Sequence, residues 1–267
     1  MENNDFKVSV LSSGSGGNCT YIETPEHKVI QDAGLSGVRI ERLMHSIGKD
    51  LNDVDSMFVT HEHTDHAKGV GILARKYGMN VYANQETWDA MSHKIGKIPV
   101  EQKYLFGADQ TEQLGDLDIE SFSVIHDAAH AQFYNYHHNG KSFVIVTDTG
   151  TITDQIEGVI RNADGYLFEC NYDPEMLMNG DYSYSTKMRI QSDTGHLSNA
   201  EGTEVLMDVM GPQTKNIFLA HRSHHNNTKE LARLTAASIM KENGLGVGRD
   251  FQLHDTDVEV PTDLYTL

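Results

Sequence analysis

Short apolar runs and amphipathic segments alternate along the chain, and this pattern predicts strands and helices in alternation. Residues 6–11 read as a strand, and residues 21–23 and 28–31 read as a hairpin. Strands in each half of the sequence are followed by helices. The pattern therefore predicts an α/β fold with one sheet per half, the two sheets packed face to face and the helices outside.

Four helices are marked by apolar residues at helical spacing. The first stripe ends before Gly48 and the second before Gly78, and glycine is a suitable helix stop. Ser198 and Glu201 form a capping-box signature ahead of the third stripe, and Thr228 caps the last. The stripes are Ile40, Leu43, Met44 and Ile47; Val70, Leu73, Ala74 and Tyr77; Val205, Leu206, Val209 and Met210; and Leu231, Leu234, Ala237 and Met240.

Composition limits the location and the partners that we expect. The 267 residues contain no membrane-spanning apolar run, no Pro-rich linker and, in the opening MENNDFKVSV, no secretory signal. We therefore expect one cytoplasmic domain over residues 1–267, without a membrane partner, in which Cys19 and Cys170 are reduced thiols. A formal net charge of −18 argues against a broad basic surface for nucleic acid. No motif identifies a protein partner.

The segment FVTHEHTDHAKG, residues 58–69, contains an unusual cluster of titratable side chains. On a helix, His61 and His63 would point about 200° apart, so the cluster requires an extended strand end or a loop. Imidazole and carboxylate donors suit Zn²⁺, Mn²⁺ or Fe²⁺. Four donors are too many for one catalytic ion with an open position and too few for two ions. The four candidate ligands are His61, His63, Asp65 and His66.

Three further candidate ligands, His126, Asp148 and His221, each follow an apolar strand. Ligand sites in α/β sheets gather at the C-terminal ends of strands, so four strand ends can converge on one crevice. Asp148 is the expected bridge, because a carboxylate can bind two ions at once. The other ligands divide into His61, His63 and His126 for one ion and Asp65, His66 and His221 for the other, with His224 as the fallback for His221.

Candidate substrate contacts lie in two other segments. The turn 12–18, which contains Ser13 and Asn18, does not match a phosphate-binding loop. It is either a tight strand connection or a place where bare backbone N–H groups approach the substrate. Lys187 and Arg189 in STKMRI fall on the same side of an extended segment. They are either phosphate contacts or solvated edge charges.

His196 differs from the other histidines because it stands just ahead of the third helix cap. A helix N-terminus attracts anions, so His196 could contact a phosphoryl oxygen or protonate a leaving group; the alternative is local packing. His130 follows His126 by four residues and is either a neighbour of the metal site or an ordinary surface residue. The remaining histidines are expected at the surface: His27, His45, His93, His137, His138 and His254.

The motif THEHTDH, followed by His126, Asp148 and a late histidine, resembles the metallo-β-lactamase superfamily. The segments LSSGSGGNCTYIET, DAGLS, VTDTG, ECNYDPEML, RIQSDTGHLSN and LAHRSHHNN, in this order, resemble its YycJ/WalJ-like branch of exonucleases. This resemblance implies a four-layer αββα sandwich with two divalent metal ions, Zn or Mn with Fe as a further option, held by the same seven ligands. It also implies 5′→3′ exonuclease activity on DNA, with His196 near the scissile phosphate. Gln31 departs from the pattern, where an apolar residue is usual.

We therefore expect a dinuclear metal-dependent phosphodiesterase with DNA as its partner. In this hypothesis a hydroxide that bridges the ions attacks phosphorus, Asp65 orients it, and His196 stabilises or protonates the departing oxygen. A hydrolase of a small substrate, such as a cyclic nucleotide, thioester or lactone, is the alternative that the acidic charge favours. A binding module without catalysis would be indicated by missing ligands, and all seven candidates are present.

Overall fold

The computed structural model describes residues 5–267, so the first four residues of the opening segment used for the signal-sequence expectation lie outside it. Strands cover much of both halves of the described chain. They are β1 (Lys7–Ser12), β2 (Cys19–Glu23), β3 (Lys28–Gln31), β4 (Ser56–Phe58), β5 (Asn80–Ala83), β6 (Lys103–Leu105), β7 (Thr111–Leu114), β8 (Leu117–Ser123), β9 (Gln132–His138), β10 (Lys141–Val146), β11 (Gly165–Glu169), β12 (Asn216–Ala220), β13 (Gln252–Asp255) and β14 (Tyr265–Thr266).

Helices follow the strands in both halves. They are α1 (Gly37–Ser46), α2 (Thr64–Ala67), α3 (Val70–Tyr77), α4 (Gln85–Ile95), α5 (Asp154–Ile160), α6 (Pro174–Asn179), α7 (Tyr184–Ile190), α8 (Asn199–Val209) and α9 (Lys229–Glu242), with single 3₁₀ turns at Leu51–Asp53 and Val100–Gln102. The predicted terminators and caps are confirmed. Gly78 ends α3 in a left-handed conformation, the Ser198–Glu201 capping box begins α8, and the Thr228 side chain caps α9.

The strands form two mixed sheets of seven strands each. The first has the order β14-β1-β2-β3-β4-β5-β6 and the second the order β13-β12-β11-β10-β9-β8-β7. In the first sheet β3 to β6 are parallel, and in the second β10 to β13 are parallel. The predicted hairpin is confirmed as the antiparallel pair of β2 and β3.

Alternation of side chains along the strands explains the layers. Ile22 and Val29 of the first sheet are buried in the same core as the inner face of the second sheet, whereas Tyr21 and Ile30 face the core beneath α1, α3 and α4. Helices α5, α8 and α9 cover the outer face of the second sheet. The predicted four-layer αββα arrangement is therefore confirmed, and the expectation of one domain over residues 1–267 stays a prediction.

Tyrosine hydroxyls join the two sheets across the central core. The Tyr134 hydroxyl donates to the carbonyl of Val59 at 2.8 Å, and the Tyr136 hydroxyl donates to Gln31 Oε1 at 3.1 Å. Gln31 is 3% exposed, so this bond satisfies a buried amide oxygen where an apolar residue was expected. The departure at Gln31 therefore has a structural explanation in sheet-to-sheet contact.

Two expectations about burial are wrong. In α9 the buried face consists of Ala232, Ala236 and Met240, which join the core of the second sheet, whereas Leu234 is on the opposite side and 67% exposed. His138 is buried rather than exposed, since its Nδ1 bonds to the carbonyl of Asp116 at 2.7 Å at the end of β9.

Two further features concern the cysteines and the apolar character of the helices. Cys19 and Cys170 are both free and buried, and burial raises the pKa of Cys170 to about 12. Among residues 5–267, none of the helices is both long enough and apolar enough to cross a bilayer.

Two helical glycines give a matched test of the packing between α8 and the second sheet. A Cβ on Gly202 would lie 2.1 Å from the carbonyl oxygen of Glu169, whereas a Cβ on Gly158 would meet nothing within 4 Å. We expect Gly202→Ala to lower the free energy of unfolding by about 1–3 kcal/mol through overpacking. Gly158→Ala should raise it by up to about 1 kcal/mol through helix propensity. Urea unfolding measures both, and stabilisation by Gly202→Ala would contradict the close approach of α8 to β11.

Candidate metal centre

The ends of four strands deliver candidate ligands to one pocket. β4 leads through Thr60 to His61, β8 leads to His126, β10 leads to Asp148, and β12 leads to His221. β10 and β12 both run parallel to β11, so their carboxyl ends reach the same edge of the second sheet. The short helix α2 begins at Thr64 and carries Asp65 and His66. The convergence of strand ends that the sequence predicts is present.

The donor atoms of these side chains fall into groups of metal-site size. Within each group one donor atom per residue lies within 4.8 Å of the others. The described residues form three such groups: His61, His63 and His126; Asp65, His66, Asp148 and His221; and Asp148, Glu169, His196 and His221. All seven ligands predicted from the sequence belong to the first two groups, and their division between two ions stays a prediction.

Asp148 lies where these groups meet. Its Oδ2 is 3.1 Å from Nε2 of His66, and its Oδ1 is 3.3 Å from Nε2 of His221. The same Oδ1 is 3.9 Å from Nε2 of His126, which belongs to the first group. Nε2 of His221 also lies 3.4 Å from Oδ2 of Asp65. The two carboxylate oxygens of Asp148 thus face different imidazoles.

Oxygen atoms behind three of the proposed histidine ligands fix the direction of their rings. Nδ1 of His66 donates to the Asp32 carboxylate at 2.8 Å, and Nδ1 of His61 lies 3.0 Å from the Thr60 hydroxyl. Nδ1 of His126 donates to the carbonyl of Thr194 at 3.1 Å. A proton held on Nδ1 leaves the lone pair on Nε2, which is the form that binds a metal ion.

Glu169 gives the same support to two histidines at once. Its Oε1 accepts from Nδ1 of His196 at 2.8 Å and from Nδ1 of His221 at 3.0 Å. Its Oε2 accepts from the backbone N–H groups of Thr149 at 3.1 Å and Leu197 at 3.3 Å. Because Glu169 is fully buried and both oxygens are occupied by these donors, it positions the two imidazoles rather than offering a free ligand atom.

The pocket combines ionised carboxylates with two kinds of imidazole. Although burial opposes it, the Asp148 carboxylate raises the pKa of His221 to about 10 and, with Asp32, raises the pKa of His66 well above its usual value. Burial, together with the neighbouring His66, lowers the pKa of His61 well below its usual value, and burial also lowers the pKa of His126. Burial would raise the pKa of Asp148, but the imidazoles of His221 and His66 outweigh it and hold that pKa well below its usual range. The ionised carboxylate of Asp148 is therefore stabilised by positive charge beside it, and a divalent ion would supply such charge in place of the protons on His66 and His221.

One buried ring nitrogen without a hydrogen-bond partner indicates that these residues fit a cation. Nε2 of His61 is buried and has no hydrogen-bond partner among the described residues. Buried polar atoms are normally paired, and an imidazole lone pair that faces other imidazoles is satisfied by a metal ion. Nitrogen and oxygen donors without a thiolate suit Zn²⁺, Mn²⁺ or Fe²⁺.

Three strand-end residues hold unusual backbone conformations. Asp32, Asp148 and His221 have φ of 60°, 50° and 50°. Left-handed backbone is uncommon outside glycine, and such strain is characteristic of functional sites. The left-handed residue redirects the chain immediately after β3 and β12 and shortly after β10, at the point where the side chain enters or supports the pocket.

The predicted substrate contacts Ser13 and Asn18 are both buried beside the pocket. The Ser13 hydroxyl accepts from the backbone N–H of His221 at 2.8 Å. The Asn18 amide accepts from Gly14 N–H through Oδ1 at 3.0 Å, and its Nδ2 lies 3.0 Å from Nε2 of His66. The structure gives both side chains internal contacts, and their role in substrate binding stays a prediction.

The predicted geometry of Lys187 and Arg189 is wrong. Both lie in α7 rather than in an extended segment, so side chains two residues apart point in different directions. Lys187 donates to the carbonyl of Met178 at 2.7 Å, and Arg189 forms an ion pair with Asp127. The Ser183 cap, which accepts from Thr186 N–H, favours the helix. Contact of either cation with substrate stays a prediction.

Of the three other candidate histidines, one lies in the pocket and two do not. His196 lies in the pocket, with Nδ1 3.9 Å from Oδ1 of Asp148. His130 bonds to the hydroxyl of Ser123 at 2.9 Å and belongs to none of the groups found among the described residues. His224, the fallback for His221, is exposed and is likewise outside those groups.

Sequence reasoning missed Asp32 and Glu169. Asp32 directly follows β3, and Glu169 is the last residue of β11. Both obey the rule that found the other candidates, since each is an acid at the C-terminal end of a buried strand. Applying that rule to every apolar run in the sequence would have identified them.

Comparison with known proteins agrees with this fold and pocket. The model of the beta-lactamase superfamily domain matches residues 27–221. Exodeoxyribonuclease YycJ of Bacillus anthracis is 48% identical over 96% of this chain and 97% of its own length. Exodeoxyribonuclease WalJ of Streptococcus pneumoniae serotype 2 (strain D39) is 48% identical over 97% of each chain.

The fold has also been seen in more distant proteins. The metallo-beta-lactamase fold protein YhfI of Bacillus subtilis superposes with a TM-score of 0.70 at 16% identity, over 96% of this chain and 98% of that one. At this identity the likeness concerns the fold alone. With a family model that covers most of the sequence and relatives that align over nearly all of it, the chain belongs to the beta-lactamase superfamily, in the branch of YycJ and WalJ.

Proposed function

We propose that this chain is a metal-dependent exodeoxyribonuclease that acts in the 5′→3′ direction with two divalent ions, Zn²⁺ or Mn²⁺ with Fe²⁺ as a further option. The observation that carries the proposal is the meeting of two donor groups at Asp148, beside a histidine whose Nδ1 is held by Glu169. The two relatives that align over almost the whole chain are named exodeoxyribonucleases, which supports DNA as the substrate.

The proposed ions are held by the two groups described above. One ion would take His61, His63 and His126, and the other would take Asp65, His66 and His221. Asp148 belongs to the second group and would be shared with the first, since its Oδ1 lies 3.9 Å from Nε2 of His126. Divalent ions bound there would lower the pKa of water toward 7 and neutralise charge that develops on the phosphate.

Asp65 and His196 carry the proton chemistry in this proposal. The Asp65 side chain is 26% exposed, against 3% for Asp148, so it is the carboxylate of its group that incoming water and substrate reach. It is placed to accept a hydrogen bond from the attacking water and to orient it toward phosphorus. His196 donates its Nδ1 proton to Glu169, so Nε2 is directed away from that carboxylate. As the imidazolium, with a second proton on Nε2, His196 would donate that proton to the departing oxygen.

A small substrate is the competing proposal. The net charge of −18 disfavours long contacts with a DNA backbone, because such contacts need many lysines and arginines. An exonuclease, however, needs only to hold a strand end. Two free thiols and a DNA substrate also fit our proposal that the protein works in the cytoplasm.

Chelation and a substrate panel test the function. We expect the protein to shorten end-labelled DNA, to lose this activity after prolonged chelation, and to regain it when Mn²⁺ or Zn²⁺ is restored, because the pocket depends on bound cations for charge balance. Labels at the 5′ and 3′ ends measure the direction by gel electrophoresis. Hydrolysis of a cyclic nucleotide or a thioester with DNA left intact would contradict the proposal in favour of a small substrate.

Replacement of His196 tests its assignment to the leaving group. We expect His196→Ala to lower kcat on DNA by about 100-fold or more, as loss of a general acid does, with metal content unchanged because the seven proposed ligands remain. Elemental analysis and single-turnover cleavage measure the two quantities. His93→Ala, at an exposed position on α4, is the matched control and should cleave as wild type does. Equal loss of metal and activity in His196→Ala would instead make His196 a ligand.

A further inference from the structure

A second cavity, of about 810 Å³, lies beside the metal centre. Ser13 lines it, and the hydroxyl of Ser13 is 2.8 Å from the backbone nitrogen of His221. Arg222 and Ser223, which follow His221 in the chain, line the same cavity. Its volume is in the usual range for a small-molecule site, about 300–1,000 Å³. It is thus large enough for one or two nucleotides and adjoins the proposed ligands.

Three aromatic side chains form a row along this cavity: Tyr182, His225 and His224. The ring centroids of Tyr182 and His225 are 5.7 Å apart at 64°, and those of His225 and His224 are 5.0 Å apart at 76°. Both histidines are exposed. Within residues 5–267 neither imidazole has a hydrogen bond or an ion pair, so the row contributes ring surface rather than fixed polar contacts.

Cationic side chains slightly outnumber carboxylates around the cavity, whereas the whole chain is strongly acidic. Arg39, Arg222 and Lys229 line it together with only two carboxylates, Asp257 and Glu259, in a chain of net charge −18. The cavity therefore has a small positive excess where the protein as a whole repels DNA.

Much of that positive charge is already occupied. Arg39 pairs with Glu259 at 2.7 Å, Lys229 pairs with Asp257, and the Arg222 guanidinium donates to the carbonyl of Leu219 at 3.1 Å. Arg39 and Lys229 are neutralised in this way, and the guanidinium of Arg222 keeps its charge but is engaged by backbone oxygens, so the three cations offer little to a string of phosphates. The rings, of which those of His224 and His225 are exposed, are the part of the lining that remains available, and a base stacks on an aromatic ring whatever its identity.

Backbone N–H groups add a polar contact at the same cavity. Ser15 and Gly16 line it and are exposed, and in the described chain no backbone hydrogen bond from either N–H is present. The cavity thus provides rings for bases and two amide donors for a single phosphate, which is the composition of a nucleotide-sized subsite.

We propose that the row Tyr182, His225 and His224 stacks the bases of the unpaired nucleotides at a DNA end, and so holds the strand for cleavage at the adjacent metal centre. This proposal rests on the proposed function, because it takes DNA as the substrate. Stacking is tolerant of sequence and needs few phosphate contacts. It therefore accounts for how an acidic protein binds a DNA end.

Binding to natural and abasic ends tests the stacking directly. The probes are fluorescent single-stranded oligonucleotides with phosphorothioate linkages that resist cleavage, with either thymines or abasic residues at the terminal positions. Fluorescence anisotropy gives Kd for the metal-replete wild-type protein and for His225→Ala, His225→Phe and the control His93→Ala. Both variant positions are exposed histidines, so neither substitution removes core packing.

We expect the wild-type protein to bind the natural end about tenfold more tightly than the abasic end, the size of one lost stacking contact. His225→Ala, which removes the central ring of the row, should lose most of this preference, His225→Phe should restore it, and His93→Ala should behave as wild type. Equal affinity of the wild-type protein for both ends would overturn the proposal, as would an unchanged preference in His225→Ala. If the preference depended on His225 but no DNA were cleaved, the stacking site would stand and the exonuclease proposal would fail.

Discussion

Hydrogen bonds from imidazole Nδ1 atoms to buried oxygens are the interaction on which this pocket depends. Asp32 holds His66 at 2.8 Å, and Glu169 holds both His196 and His221. Each bond fixes the tautomer and the ring plane, so the Nε2 atoms are aimed before any ion binds. Without these acceptors the histidines would have several rotamers and two tautomers, and ordering them would cost free energy during ion binding.

The fold buries the acids that support the histidines and leaves the carboxylate that faces incoming water and substrate partly exposed. Glu169 is fully buried and the Asp32 side chain is 3% exposed, whereas the Asp65 side chain is 26% exposed. The backbone at Asp148 and His221 is left-handed, which places strain at the two residues that meet in the pocket. Strand hydrogen bonds and the two apolar cores stabilise the surroundings of this local strain.

The sequence predicts most of the layered fold and the positions of the proposed ligands, because both depend on local patterns. Apolar runs mark the strands, and a polar residue at the end of a run marks the pocket, as at His126 and Asp148. What is missed depends on contacts between distant segments. The helical conformation at Lys187 depends on the side-chain cap of its helix. The burial of His138 depends on a hydrogen bond to the carbonyl of Asp116, which lies in the turn between β7 and β8. Apolar periodicity reveals neither feature. The role of Glu169 requires three separate segments to meet.

The central claim is that one carboxylate, Asp148, joins two sets of pre-aimed donors into a single dinuclear site. An anomalous-difference map from a crystal of the metal-replete protein, collected at the absorption edge of the bound metal, tests it most directly. Two peaks are predicted, one among His61, His63 and His126 and the other between Asp65 and His221, each within coordination distance of an Asp148 oxygen. A single peak, or a peak coordinated by Glu169 in place of the first group, would contradict the account.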